Sequence, residues 1–132
     1  MEKIVIGDKE YKINCNAYTR VLYNSKFGNK IFQDIGKIND YNNELAKVDK
    51  EEISDAEKDE KKAKISLDNI DMVLDIIQKI TYIEILTANK DFMSYEDWLC
   101  SIPKFDLSGE WVSKVMEVAT DCFRWFRTYW TN

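Results

Sequence analysis

Apolar positions are densest from Leu67 to Asn89, a stretch without Gly or Pro. At about 100° per residue, its first half places apolar side chains on one broad arc and charged ones on a narrow opposite strip. Beyond Ile80 the apolar side chains spread around the helix axis. Because a helix that is apolar on most sides must be covered on most sides, the pattern predicts a central helix at 67–89. The predicted arc consists of Ile70, Val73, Leu74, Ile76, Ile77 and Ile80.

The N-terminal residues, 1–15, alternate between apolar and polar in the manner of a β-hairpin. A tip at Asp8 and Lys9 gathers four apolar side chains on one face, as a half-buried hairpin requires. The predicted cross-strand pairs are Ile6 with Tyr11 and Ile4 with Ile13. Because a two-stranded hairpin is only marginally stable alone, this face is expected to pack on helices.

Two helices are predicted within residues 16–48. Asn16 can cap the first helix, and Gly28 can end it. The side chains expected to face inward from it are Tyr18, Val21, Leu22 and Phe27. The second helix follows directly, and Gly36 and the polar stretch at 39–43 predict a kink or break within it.

Thirteen of the eighteen residues at 47–64 are charged, in nearly balanced numbers of each sign. The preferred interpretation is a solvated extension of a helix, with a capping box formed by Ser54 and Glu57. Pairs four residues apart, Glu57 with Lys61 and Glu60 with Lys64, favour it further. The alternative is a disordered linker, since high charge and low apolar content prevent burial.

After the central helix, Ser94 is expected to cap a short helix that ends before Pro103. A closing helix is predicted from Gly109 to about Tyr129, with Ser108 as its N-cap. The fold expected from these patterns is mainly α, with an N-terminal β-hairpin packed on a bundle of about five helices. The size fits one domain over 1–132, with the helical core at 67–131.

Composition narrows the function mainly by exclusion. The net charge of −5 provides no basic field for nucleic acid or anionic lipid. Acidic side chains and a lysine within 67–89 argue against a membrane span. The three cysteines have no metal-site or disulfide-framework spacing, which favours buried thiols in a reducing compartment. Together with a charged N-terminus, this predicts a cytoplasmic protein.

The residues give no pattern typical of an active site. The chain contains no histidine, which removes the usual general base and the usual zinc ligand. It also has no phosphate-binding glycine loop and no nucleophile elbow. The aspartates on the central helix, Asp68, Asp71 and Asp75, could hold a cation, but a solvated face with Asp75 paired to Lys79 is preferred. We therefore predict a protein that is not an enzyme, with no catalytic residue, cofactor or metal ligand.

The last ten residues are unusually rich in aromatic side chains interleaved with arginine. Two interpretations have equal weight: these side chains pack on the central helix with arginine stems covering the remainder, or some form a surface where a partner docks. The candidate partner-binding residues are Trp125, Tyr129, Trp130, Arg124 and Arg127.

The layout of the chain resembles a known family. A short hairpin (IVIGDKEYKI) leads into NAYTRVLYNSKFG, the apolar helix follows, and SYEDWL, a proline turn and DCFRWF close the chain. This order resembles the tail assembly chaperones of long-tailed bacteriophages and of prophages of Gram-positive bacteria. The charged stretch at 47–64 departs from the family pattern as an insertion.

The resemblance implies a non-enzymatic chaperone in the cytoplasm of the host cell. Such a protein binds the long apolar tape measure protein, helps tail tube subunits to assemble around it, and self-associates. The family has no catalytic residues to carry over. The alternative hypothesis is a small cytosolic helical adaptor or regulatory protein that acts through a homo- or hetero-oligomeric interface.

Overall fold

The structure is a computed structural model that describes residues 2–124. Within that range the fold is mainly α, and an N-terminal two-stranded antiparallel hairpin packs on five helices. The predicted fold class is therefore confirmed. In chain order the elements are β1 (Glu2–Ile6), β2 (Lys9–Ile13), α1 (Thr19–Phe27), α2 (Ile31–Asp49), α3 (Asp55–Ala88), α4 (Tyr95–Cys100) and α5 (Glu110–Cys122).

The predicted central helix is the C-terminal part of α3, which contacts α1, α2, α5 and β2. From Ile80 to Leu86 every residue is buried, as expected for a helix that is apolar on all sides. The prediction is wrong at the other end of the arc, since Ile70 is 42% exposed. The helix also starts at Asp55 instead of Leu67, so its first half runs beyond the core.

The charged stretch at 47–64 forms the end of α2, a short turn and the start of α3, which run antiparallel as a helical arm. The Ser54 side chain accepts a hydrogen bond from the Glu57 N–H at 3.2 Å, which confirms that half of the capping box. Lys61 pairs with Glu51 across the turn at 2.6 Å, where the sequence predicted a pair with Glu57. The turn places the carboxylates of Asp49 and Glu51 beside Lys62 and Lys61 of α3, and these pairs replace the predicted pairs along the helix.

The hairpin has the predicted buried face but a register shifted by two residues. Ile4 pairs with Tyr11 and Ile6 with Lys9, so the two-residue turn is Gly7–Asp8. Gly7 has a φ of 65°, which is the backbone conformation that a type II′ turn requires at its first position. A shift of two keeps every side chain on its original face, so Ile4, Ile6, Tyr11 and Ile13 are all buried as predicted.

Helix α1 is rotated relative to the predicted inward face. Tyr18 is 57% exposed and Val21 is 39% exposed, so both predictions are wrong. Thr19 and Tyr23 are the buried residues of this helix, because their hydroxyls find partners inside the fold. Thr19 lies 3.1 Å from the Thr87 hydroxyl, and Tyr23 donates to a buried carboxylate. Gly28 ends the helix with a φ of 69°, as predicted.

Helix α2 is continuous through Gly36, where a kink or break was predicted. Gly36 is buried, and so are Ile35 and Ile38 beside it. Packing against α3 outweighs the helix-propensity penalty of one glycine, which is about 1 kcal/mol.

The last two helices confirm one predicted cap and contradict the other. The Ser94 side chain accepts a hydrogen bond from the Asp97 N–H at 3.2 Å, as an N-cap does. Ser108 is not a cap: Gly109 holds that position, and the Ser108 hydroxyl donates to Asp106 at 2.6 Å. Helix α5 ends at Cys122, with Phe123 as its C-cap, so the prediction of an unbroken helix is wrong at that point. The rest of the predicted helix, up to Tyr129, lies outside the described residues.

An aromatic cluster fills the space between the hairpin, α3 and α4. Trp98 lies at its centre with no solvent exposure. Its ring centroid is 6.4 Å from that of Tyr11, 5.8 Å from Tyr82 and 5.9 Å from Phe105. This cluster joins the short α4 to the two elements that enclose it.

Replacing Tyr23 with Phe tests the polar contact that anchors α1. The Tyr23 hydroxyl donates to the Asp34 carboxylate at 2.6 Å, and Asp34 is only 2% exposed. Removing the donor leaves a buried acceptor short of a partner, so we expect a loss of about 1–3 kcal/mol in urea unfolding. The matched control is Tyr41→Phe, whose hydroxyl lies 3.0 Å from Ser66 in a part-buried site. Equal losses in both variants would contradict the anchoring role.

Candidate partner-binding surface

The candidate residues at the C-terminus are only partly covered by the structure. Arg124 is exposed immediately after α5, while Trp125, Arg127, Tyr129 and Trp130 lie outside the described residues. Phe123, just before them, is buried with its ring 5.1 Å from that of Phe32. The C-terminal surface therefore stays a prediction.

An open groove with a largely apolar lining lies between α1 and the C-terminal end of α3. It has a volume of about 540 Å³. We call it the α1 groove; its lining residues are Asn16, Tyr18, Leu22, Lys26, Leu86, Thr87 and Lys90. Tyr18 stands exposed at its edge, and Leu86 is buried below it.

Three hydrogen bonds place the walls of the α1 groove. The N–H of Asn14 donates to the Glu84 carbonyl at 3.0 Å, which ties the end of β2 to α3. The Asn16 side chain accepts from the Tyr18 N–H at 2.9 Å and starts the turn that leads into α1. The contact between the Thr19 and Thr87 hydroxyls then fixes α1 against α3. These hydrogen bonds fix the two walls of the groove, α1 and the C-terminal end of α3, relative to each other.

The groove combines an apolar floor with a basic rim. Leu22 and Leu86 supply the apolar surface, while Lys26 and Lys90 stand on the rim of an otherwise acidic protein. An apolar groove of this kind is suited to the apolar face of an amphipathic helix. The two lysines favour a partner that carries acidic side chains beside that face.

A buried carboxyl group lies near this surface but does not open onto it. Glu84 is fully buried on α3, and neither of its carboxyl oxygens has a hydrogen-bond partner among the described residues. Burial raises the pKa of Glu84 well above its ordinary value. Burial thus favours the neutral form of this side chain, which belongs to the packed interior.

The other groups considered for chemistry are placed as follows. Asp75 pairs with Lys79 at 2.9 Å, which confirms that predicted pair. Cys100 is exposed, so the prediction of a buried thiol is wrong there. Cys15 is half-buried, and burial followed by contact with Cys122 raises the pKa of its thiol. In the part of the chain that the structure describes, no helix is both long enough and apolar enough to cross a membrane.

Comparison of the chain with protein-family models, curated proteins and solved structures finds no match. The class that the structure itself defines is a mainly α protein with an N-terminal hairpin. Inference about function therefore depends on the surfaces of this chain and on the resemblance of its layout.

The apolar pattern alone does not reveal the α1 groove, because it assigns Tyr18 to the core. The signal that was present is the pair Thr19 and Tyr23, two residues with hydroxyls spaced one helical turn apart. Such residues can occupy a core when their hydroxyls are paired. Giving them the inward face would have turned Tyr18 and Val21 toward solvent.

Proposed function

We propose that this protein is a tail assembly chaperone of a long-tailed phage or prophage, which binds the tape measure protein and aids assembly of the tail tube. The observation that carries the proposal beyond the resemblance is the α1 groove, with its apolar floor and its exposed Tyr18. A carrier for a long apolar helical client needs an apolar docking surface of this kind. It also has to keep the complex in solution, which the net charge of −5 favours. The proposed activity is non-enzymatic and takes place in the host cytoplasm.

Binding is proposed to follow the helix-in-groove mode. The client helix places apolar side chains against Leu22 and Leu86, and the Tyr18 ring closes over its edge. Tyrosine is among the residues that most often dominate interface energetics. Acidic side chains of the client then lie beside Lys26 and Lys90, which sets orientation more than affinity.

Co-expression with the tape measure protein that the proposal expects to be encoded beside this chain tests the function. We expect the client to be recovered in a soluble complex on size-exclusion chromatography with light scattering. A client that stays insoluble while this protein elutes alone would contradict the chaperone proposal and favour the adaptor hypothesis.

Two variants locate the site within a working chaperone. Tyr18→Ala is expected to reduce the recovered complex at least about tenfold, since it removes an exposed aromatic anchor. Val5→Ala is the matched control, because Val5 is 53% exposed on the hairpin and lies outside the groove. The C-terminal surface is tested in parallel with Trp125→Ala combined with Trp130→Ala. Loss of the complex only in the C-terminal double variant would move the site away from the α1 groove.

A further inference from the structure

One apolar face of α3 is left wholly or partly uncovered between Ala63 and Leu74. Leu67 is 75% exposed and Ile70 is 42% exposed, values unusual for two large aliphatic side chains one turn apart. Ala63 is exposed on the same face, and Leu74 is half-buried. We call the four residues the α3 stripe.

The same face of α3 is covered farther along the helix. At about 100° per residue, Thr81 and Ile85 continue the line of the α3 stripe. Both are buried, in the part of α3 that meets the hairpin through the hydrogen bond from Asn14 to Glu84. Other elements of the fold therefore cover this face of α3 at its C-terminal end. In the described chain, no element reaches it at Leu67 and Ile70.

The spacing within the stripe fits a second helix. Its members are four, three and four residues apart, which is the repeat of the inward positions of a coiled coil. A small residue, Ala63, stands at one end and permits close approach of a partner backbone. The stripe therefore has the geometry of a helix–helix seam two heptads long.

The charged residues beside the stripe are arranged so that two copies of α3 can pair them with each other. Lys64 and Asp71 lie on the same flank, before and after Leu67, and both are exposed. Neither forms an ion pair within 4.0 Å among residues 2–124. In an antiparallel pair of identical helices, equivalent flanks face each other with opposite direction. Lys64 of one copy then stands opposite Asp71 of the other, and the pair occurs twice.

We propose that the partner of the α3 stripe is a second copy of this chain, docked antiparallel about a two-fold axis near Leu67. The apolar seam consists of the stripe from each copy, and two Lys64–Asp71 pairs fix the direction. A seam this short buries little area, so the dimer is weak and depends on concentration. The proposal does not rest on the chaperone function, because the α1 groove is a different surface of α3.

Sedimentation velocity over a concentration series tests the interface. We expect a reversible dimer in the unmodified protein and only monomer with Leu67→Glu, which places a charge in the seam. Lys64→Glu alone sets like charges opposite each other twice and should raise the dissociation constant about tenfold. Asp71→Lys alone should do the same, and the double variant should restore the original value.

Controls separate the interface from folding and from net charge. Lys12→Glu changes the net charge equally at an exposed position on the hairpin and should leave the dimer unchanged. Far-UV circular dichroism should show the same helix content in every variant. A monomer at all concentrations, or a dimer unaffected by Leu67→Glu, would overturn the proposal. Loss with both single charge reversals but no recovery in the double variant would overturn the antiparallel arrangement.

Discussion

Replacing Trp98 with Ala is expected to lower the free energy of unfolding by about 3–5 kcal/mol. Trp98 has no exposed surface and is surrounded by Tyr11, Tyr82 and Phe105. The substitution removes the largest fully buried side chain among the described residues and leaves a cavity that rigid neighbouring rings cannot fill. Because domains of this size are stable by about 5–15 kcal/mol, the loss is a large share of the total. Urea unfolding followed by circular dichroism measures it.

A graded pair of variants makes the Trp98 prediction specific. The Nε1 of Trp98 has no hydrogen-bond partner in the described structure, so Trp98→Phe removes an unsatisfied donor along with part of the ring volume. We expect Trp98→Phe to cost clearly less than Trp98→Ala. Val5→Ala is the surface control, because Val5 is 53% exposed, and should change stability by no more than about 0.5 kcal/mol. Similar losses at Trp98 and Val5 would contradict the assignment of the core.

Glu84→Gln is expected to flatten the dependence of stability on pH. The folded-state pKa of Glu84 is raised by burial, while the unfolded chain has the ordinary value of 4.5. The folded protein therefore holds a proton that the unfolded chain releases above pH 4.5. Stability contributed by this group is present below pH 4.5 and is lost as pH rises toward the folded-state pKa. The slope reaches about 1.4 kcal/mol per pH unit in that window.

The difference in unfolding free energy between Glu84→Gln and the unmodified protein, followed against pH, separates the titration of Glu84 from that of other groups. Glutamine has nearly the same shape and no charge at any pH, so the variant should gain stability relative to the unmodified protein as pH rises from 5 to 8. Its buried amide has its own desolvation cost, but that cost does not vary with pH. Glu44→Gln, at an exposed position on α2, serves as the control and should track the unmodified protein. Parallel curves for Glu84→Gln would show that the carboxyl is ionised in the fold.

The fold class was predictable because long apolar segments dominate it. The run of buried residues from Ile80 to Leu86 could be predicted from the spread of apolar side chains around the helix axis, since only a central helix can bury residues on all sides. The hairpin face was predicted correctly even though its register was shifted, because alternation fixes the face and the turn fixes the register. Gly7 carried the information on the turn, through its need for a positive φ.

The candidate site was harder to predict, for two physical reasons. Apolar spacing alone could not show that the hydroxyls of Thr19 and Tyr23 find partners inside the fold, at Thr87 and Asp34. The inward face of α1 was therefore predicted wrongly. Periodicity also could not show where α3 leaves the core, because Leu67 and Ile70 follow the same pattern as their buried neighbours. Only the positions of the other elements decide which part of an apolar stripe is covered. The proposed surface at Trp125 and Trp130 remains a prediction.

The unbroken length of α3 also fixes the distance between the α3 stripe and the α1 groove. Its 34 residues contain neither Gly nor Pro, and the helix connects the α3 stripe to the α1 groove without a joint. With a rise of about 1.5 Å per residue, Leu67 and Leu86 stand roughly 28 Å apart along one rod. Two molecules bound at these proposed sites would be held at a fixed spacing, which the length of α3 between them would set.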